Sequence, residues 1–517
     1  MQSSIRLGLW RAAVHSLKTS RRPLPCRFRS VHDGAPAGLA DAESIFALSS
    51  GHGRCGVAVV RASGPASSAV LRSMVGLTSS LPAPRTALLR SITDPQSKEV
   101  LDRGLVLWFP APHSFTGEDC VEFHIHGGPA VISAVLQALG SVPGMRPAEA
   151  GEFTRRAFQA GKLGLTEVEG LADLIHAETE AQRRQALRQM SGELGRLYQD
   201  WTHRLKVCLA HVEAFIDFSE DELIEDGVLD QVDRLVSNLQ AEIERHLKDE
   251  RRGERLRSGV QVVIAGATNA GKSSLLNTLC QRPAAIVSPI AGTTRDVVET
   301  ALDVGGFPVL LSDTAGLRDS PDLVEREGVR RARERVEQAD LTLVVVDCSH
   351  LPTDVQETAA FLQGHLRSVL PPQEQTETVY PADRFLLVLN KTDLLPQEQK
   401  QKLDVDLRQF SGLPPVCLIS CQTTDGLHDF LAVLHSSVKN LCGNPLAGAP
   451  TLTQARHRAH LQQCVVALAQ YQQYRDIDLA LAAEGVRLAL TCLGRITGRV
   501  GAEEILDIIF KDFCIGK

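Results

Sequence analysis

Residues Gly266-Ala-Thr-Asn-Ala-Gly-Lys-Ser273 set two glycines, a lysine and a hydroxyl at the spacing of a phosphate-binding loop. The apolar run Val260–Ala265 precedes them and a helix-forming stretch, Ser274–Leu279, follows. That context supplies the chemistry. A tight glycine turn and a helix N-terminus point backbone N–H groups at phosphate oxygens. Lys272 would neutralise the outer phosphates, and the Ser273 hydroxyl would ligate the magnesium that bridges them.

Three further stretches extend this reading. Gly292-Thr-Thr-Arg-Asp296 lies where a switch segment would bring Thr294 to magnesium and the γ-phosphate. A hairpin turning at Gly305-Gly306 then delivers Asp313-Thr-Ala-Gly316, with Asp313 on the magnesium through water and the Gly316 N–H near the γ-phosphate. Asn390-Lys-Thr-Asp393 follows the buried strand Phe385–Leu389 and selects the base. A carboxylate at Asp393 accepts from the ring N–H and the exocyclic amine of guanine, whereas adenine would leave it buried and unpaired. Ser420-Cys-Gln422 stands where a backbone contact to the guanine oxygen is expected. The ligand is GTP. Leu317 occupies the place of the glutamine that orients water in Ras-type switches, so another group must do so, with Asp319, Asp322, Glu325 and Glu327 as candidates.

The elements around these residues form a chain of 517 residues, long enough for several domains. No apolar run approaches the ~18 residues of a membrane span. Residues 1–32 carry seven basic residues, several serines and no acid, with Leu7, Leu9, Trp10, Val14 and Leu17 as an interrupted apolar face. This is a mitochondrial transit-peptide composition. Its removal takes the formal charge from −7 to −14, so any RNA contact must use local patches or a partner. The 12 cysteines show no zinc spacing and read mostly as buried thiols.

From residue 44, strands are expected at Ile45–Leu48, Cys55–Arg61 and Leu105–Phe109, and across 119–128. In the last, Val121, Phe123 and Ile125 share one face and Glu122, His124 and His126 the other, either a polar ligand pocket, a solvated face or a metal site. Helical spacing takes over after Phe153, with Thr166-Glu-Val-Glu169 as a capping box. Further helices run through Trp201–Phe218 and Leu229–Leu247 to a basic run, Arg251, Arg252, Arg255 and Arg257, read as a solvated linker or a basic contact surface. Helical spacing returns at Leu452–Tyr474 and Ile477–Thr497, and a last helix with Ile505, Ile508 and Ile509 apolar leads to Cys514-Ile-Gly-Lys517. The fold class is α/β and α multidomain, and one helical domain interrupted by an inserted P-loop GTPase is the economical arrangement.

With Gly56–Gly64, Ser114-Phe-Thr-Gly-Glu-Asp119, His126-Gly-Gly-Pro129, Gly151-Glu-Phe-Thr154, Gly161-Lys162, Leu171–Ile175, the GTPase motifs and Cys514-Ile-Gly-Lys517 in place, the chain resembles the MnmE/TrmE tRNA-modification GTPases, in their animal mitochondrial form. The resemblance implies a transit peptide at 1–35, an N-terminal α+β folate-binding and dimerisation domain at 42–158, helical segments at 159–257 and 445–517, and the GTPase at 258–440. It implies a matrix protein that works as a homodimer with an FAD-dependent MnmG/GidA-type partner. Their product is a carbon-5 taurinomethyl group on the wobble uridine of mitochondrial tRNA. Arg61, Glu122, Lys162 and Lys517 match its contacts to 5-formyl-tetrahydrofolate or a related folate. Asn269, Ser288, Ile290 and Thr293 match its potassium loop, and Glu325 the acid that positions water. The GTP set becomes Gly266, Asn269, Ala270, Gly271, Lys272, Ser273, Ser274, Thr293, Thr294, Asp313, Gly316, Asn390, Lys391, Asp393, Ser420 and Cys421.

Family members often have Arg-Pro-Gly-Glu-Phe where this chain has Glu149-Ala-Gly-Glu-Phe153, and Ser-Ala where it has Ser420-Cys421. Cys514 is a near-active-site residue on the resemblance and a helix-end thiol on its own. The competing function is a regulatory GTPase of mitochondrial ribosome assembly. Such proteins often carry a Gly-x-x-Gly RNA loop, which Gly498-Arg-Val-Gly501 matches without the surrounding strands.

Overall fold

The computed structural model describes residues 43–77, 80–218, 227–281, 299–313, 334–352, 354–369, 384–408, 413–448, 450–500, 503–511 and 513–517. The expected transit peptide lies outside them, as do Ser288, Ile290, Thr293, Thr294, Gly316 and Glu325. The architecture is mixed α/β with an all-helical part, and no described helix is long and apolar enough to cross a membrane.

The first sheet contains β1 (Ser44–Leu48), β2 (Cys55–Ser63), β3 (Leu88–Thr93), β4 (Val100–Phe109), β5 (Cys120–Gly127) and β6 (Met145–Pro147), in the order β3-β4-β5-β2-β1-β6. Its strands are antiparallel except for the β1–β6 pair. Alternation decides which face is covered: Val121, Phe123 and Ile125 of β5 are buried under the helices Ser67–Val75 and Pro129–Gly140.

The second sheet contains β7 (Val260–Gly266), β8 (Glu299–Val304), β9 (Phe307–Asp313), β10 (Leu341–Asp347), β11 (Phe385–Asn390) and β12 (Val416–Leu418), in the order β12-β11-β10-β7-β9-β8. Only the β8–β9 hairpin is antiparallel. β10 and β11 are buried at every residue, as continuous apolar runs in a parallel sheet covered on both faces must be. Lys272–Cys280 and Leu427–Cys442 pack on one face, and Val355–Val369 and Gln397–Arg408 on the other.

Four long helices, Glu193–Phe218, Gly227–Leu247, Ala455–Tyr474 and Leu479–Thr497, share one core that includes Tyr198, Trp201, Val236, Leu461 and Val486. Helices from before and after the second sheet thus bury each other. The chain leaves and rejoins this bundle at one place, because a Cβ on Gly253 would lie 2.2 Å from the Leu452 carbonyl oxygen.

Three sequence expectations change here. The helix expected to start at a Thr166–Glu169 box is Leu165–His176, and its N-cap is Gly164, whose N–H donates to Glu167 Oε2 at 2.6 Å. A glycine cap has no side chain to betray it, and Thr166 and Glu169 are instead buried in the helix. The basic run is the N-cap Arg251 and the helix Arg252–Ser258, with Arg251, Arg252 and Arg257 exposed to solvent. Its arginines are paired, Arg251 with Glu254, Arg252 with Glu250, Arg255 with Asp340 and Arg257 with Asp173. The last helix, Glu503–Lys511, is anchored by Phe510 and Phe513, both buried against Val168 and Ala172, while Ile508 is 65% exposed.

Candidate functional site

β7 ends at Gly266 in the middle of the second sheet, so the loop after it emerges where flanking strands β10 and β9 also end. Lys272 is buried, and its ammonium donates to the carbonyls of Gly266 at 2.9 Å and Ala267 at 2.8 Å, which holds it inside the ring of the loop. Asn269 is exposed and left-handed at φ 65°. Gly271 has φ 96°, and a Cβ there would stand 2.1 Å from Asn390 Nδ2, so the loop closes only on glycine.

Asn390 is the brace between loop and base-reading elements. Its Nδ2 donates to Ala270 O at 3.0 Å, and its Oδ1 accepts from Cys421 N at 3.2 Å. Ser420 Oγ donates to Asp393 Oδ1 at 2.6 Å, fixing the carboxylate that would read guanine. Lys391, left-handed at φ 65°, places its ammonium 2.6 Å from Asp347 Oδ2. Burial opposes the charge of Asp347, but hydrogen bonds from Lys391 and Ser349 outweigh it and lower its pKa. Asp313 ends β9, whose register sets it beside Ile264. Ser273 and Ser274 open the helix Lys272–Cys280.

A second group assembles on the first sheet. Arg61 and Glu122 are register partners on β2 and β5, and the guanidinium Nε donates to Glu122 Oε1 at 2.9 Å. The same guanidinium lies 5.3 Å from the Phe115 ring centre and 5.8 Å from that of Phe153. The polar face of β5 does not act as one unit: His124 lies 3.5 Å from Glu122, whereas His126 bonds Asp102 at 2.8 Å. Lys162 donates to Pro112 O at 2.8 Å.

The C-terminal tail reaches this sheet from the far end of the chain. Ile515 bridges to Ala150, and Ser49 Oγ donates to Gly516 O at 2.9 Å. Gly516 has φ 101°, and a Cβ there would lie 2.0 Å from Leu48 O, so this docking also needs glycine. Leu48 pairs with Val60, next to Arg61, which brings the exposed Cys514 and the terminal Lys517 to the strand pair that carries Arg61. Nearby, Glu152 chelates Arg146 and accepts from Glu149 N, so Glu149 contributes backbone to this corner.

Sequence reasoning missed a buried polar cluster between the two groups. Glu169 lies 2.6 Å from Arg456 Nε and 3.0 Å from His457 Nε2, under Tyr198. Burial opposes its charge, yet His457 and Arg456 hold its carboxyl down at about 2. Burial keeps His457 below its ordinary pKa and takes His246 down to about 4. The signal lay in two distant stretches, 165–176 and 455–460, and only the fold joins them.

The chain was compared with known proteins. Residues 44–162 match the family model "GTP-binding protein TrmE N-terminus", and residues 165–514 match "MnmE helical domain". The chain is 69% identical over 92% of its length to the Danio rerio "5-taurinomethyluridine-[tRNA] synthase subunit GTPB3, mitochondrial", covering 93% of that protein. It is 58% identical to the human protein of the same name, covering 99% of both. It is 48% identical to the "tRNA modification GTPase MnmE" of Parvibaculum lavamentivorans, over 92% of this chain and 100% of that one.

Proposed function

The chain belongs to the MnmE/TrmE family of tRNA-modification GTPases, and from that membership we propose how its two groups of residues divide the work. It is a mitochondrial GTPase subunit in the synthesis of 5-taurinomethyluridine in tRNA. The observation that carries the nucleotide assignment is the Asn390 brace: the residue that closes the phosphate loop also positions the loop beside Asp393, and a fixed carboxylate there selects guanine.

Gly266, Ala270, Gly271 and Ser274 wrap the phosphates with backbone N–H groups, and Lys272 turns from its loop carbonyls to the β- and γ-phosphates. The glycine turn fits this role, since a Cβ at Gly271 would collide with the Asn390 amide that braces the loop. Magnesium, when bound, shields the phosphate charge; Ser273 and Asp313, with Thr294 outside the described residues, would hold it. Asn269, with Ser288, Ile290 and Thr293, would hold a potassium ion supplying the positive charge that an arginine supplies elsewhere. Glu325 orients the attacking water in place of the glutamine that Leu317 replaces.

Arg61, Glu122, Lys162 and Lys517 bind a formylated folate. Glu122, held by Arg61, would accept from N–H groups of the folate, and Lys162 and Lys517 would supply positive charge to it. Cys514 acts beside it on the one-carbon unit or the uridine. The working unit is a homodimer with an FAD-dependent MnmG/GidA-type partner, and the GTPase is a module inserted into the helical domain. The ribosome-assembly alternative gains nothing from Gly498-Arg-Val-Gly501, because the helix it ends joins an all-helical core.

The test is mass spectrometry of mitochondrial tRNA from cells lacking this protein. Loss of the wobble taurinomethyl group is expected, with rescue by the wild-type chain and none by Cys514→Ser, which keeps GTP hydrolysis. Intact modification with defective ribosomes would sink the assignment.

A further inference from the structure

We propose that a cavity at one end of the helical bundle binds the phosphodiester backbone of the RNA substrate, an inference that rests on the tRNA-modifying reading above. The cavity measures about 410 Å³ and is bordered by the starts of two helices, at Gly164 and at Gly192 and Gly195, and by the turn Gly498-Arg499 that ends Leu479–Thr497. None of Arg61, Glu122, Lys162 and Lys517 lines it, nor does any residue of the nucleotide loop.

Two arginines, Arg196 and Arg499, are among the residues that line it. Arg196 donates to Ser191 O at 2.8 Å with one nitrogen, and the Arg499 side chain makes no hydrogen bond or ion pair with a described residue. Elsewhere in the bundle Arg204, Arg475 and Arg487 are matched by carboxylates. The single acid among the lining residues, Glu167, already spends Oε2 on the Gly164 N–H. The lining residues thus carry two positive charges against one negative, in a chain whose formal charge is −7.

A phosphodiester suits it chemically. Its two free oxygens match the fork of a guanidinium, glycine walls let the backbone approach, and first-turn N–H groups lack intrahelical acceptors. The volume lies within the ~300–1,000 Å³ of small-ligand sites, enough for a nucleotide unit. Its position also serves the reaction. Phe158 lines the cavity and packs 6.4 Å from the ring of Phe510, the anchor of the helix that leads to Cys514. A strand held at Arg499 is thus held next to the base of the catalytic tail.

The experiment uses the full-length protein and a mitochondrial tRNA transcript, with binding followed by fluorescence anisotropy across a range of KCl concentrations. Arg499→Glu is expected to raise Kd about 10-fold and to cut the slope of log Kd against log salt by about 1, as loss of a phosphate contact does. Arg196→Glu should act likewise, and both variants should hydrolyse GTP at the wild-type rate, since both residues are exposed and away from the nucleotide loop. Unchanged Kd in both variants overturns the cavity proposal alone. So does weaker binding with an unchanged salt slope, or an effect seen only on a polyglutamylated folate, which would make the cavity a carboxylate-tail site. A wild-type chain that binds no tRNA, with or without its partner, overturns the functional reading as well.

Discussion

The nucleotide loop and the tail site are built by opposite means. The loop is made at the ends of parallel strands that are buried along their whole length, and Asn390 ties it to the base-reading segment within one sheet. The tail site is made by a peptide that lies on another sheet, 467 residues away from its partner Ser49, and is held by two phenylalanines, the Arg155–Asp507 ion pair, one bridge and the Ser49 hydrogen bond. The first cannot be opened without disturbing a core. The second can detach while its sheet stays folded, because Leu48 and Arg61 keep their strand partners either way.

This contrast is open to attack by substitution. The largest effect is expected at Asp393→Asn: removal of the charge that we propose reads guanine should weaken GTP binding by on the order of 10³-fold, measured with a fluorescent GTP analogue, and leave protease protection of the tail intact. Simultaneous loss of tail docking would show the two sites to be one cooperative unit.

The bundle between them is expected to be acid-sensitive. His246 has its pKa lowered to about 4 by burial, so between roughly pH 6.5 and 4 the unfolded chain binds a proton that the folded chain does not. Stability therefore falls as pH falls through that window, by up to about 3 kcal/mol, with His457 acting in the same sense. Glu169, held at about 2, acts in a different window: its contribution is present above pH ~4.5 and lost as pH falls towards 2. Urea melts at several pH values should show the first slope, and His246→Gln should flatten it.

Next comes Gly516→Ala. A methyl group 2.0 Å from Leu48 O in a left-handed backbone should undock the tail and lower wobble modification about 10-fold, with GTP hydrolysis unaltered. A parallel fall in hydrolysis would erase the distinction between the sites. The smallest effect is expected at Asn269→Ala, where a left-handed backbone costs alanine about 1 kcal/mol and so weakens GTP binding roughly fivefold. The variant should also lose any preference of hydrolysis for potassium over sodium; a wild type with equal rates in both salts removes the proposed potassium site.

Legibility in the sequence followed the same division. The nucleotide elements could be read because each is a contiguous motif at the end of an apolar run, and run and motif point to one geometry. β3 was missed because its Leu-Leu-Arg-Ser-Ile-Thr is half exposed and lacks clean alternation, and β6 because it has only three residues. The helix start at Gly164 was displaced because a glycine cap resembles any loop glycine. Arg255 and Arg257 looked solvated because their carboxylates, Asp340 and Asp173, lie about 80 residues away on either side. Ile508 looked like an anchor by spacing, yet the packed side is taken by Phe510 in the helix and Phe513 just beyond it, aromatic residues that bury more area than an isoleucine.

The contact between Gly253 and Leu452 has a mechanical meaning. A module whose chain enters and leaves at one point hangs on a swivel, and a swivel passes no torque to its support. The N–H of Ala181 donating to the Gly306 carbonyl at 2.9 Å adds a second fastening, at the tip of the β8–β9 hairpin. The Nε of Arg255 donating to Asp340 Oδ1 at 2.7 Å is a third, so the module is braced at several points, and the hairpin tip bears on the first turn of the helix Glu180–Met190.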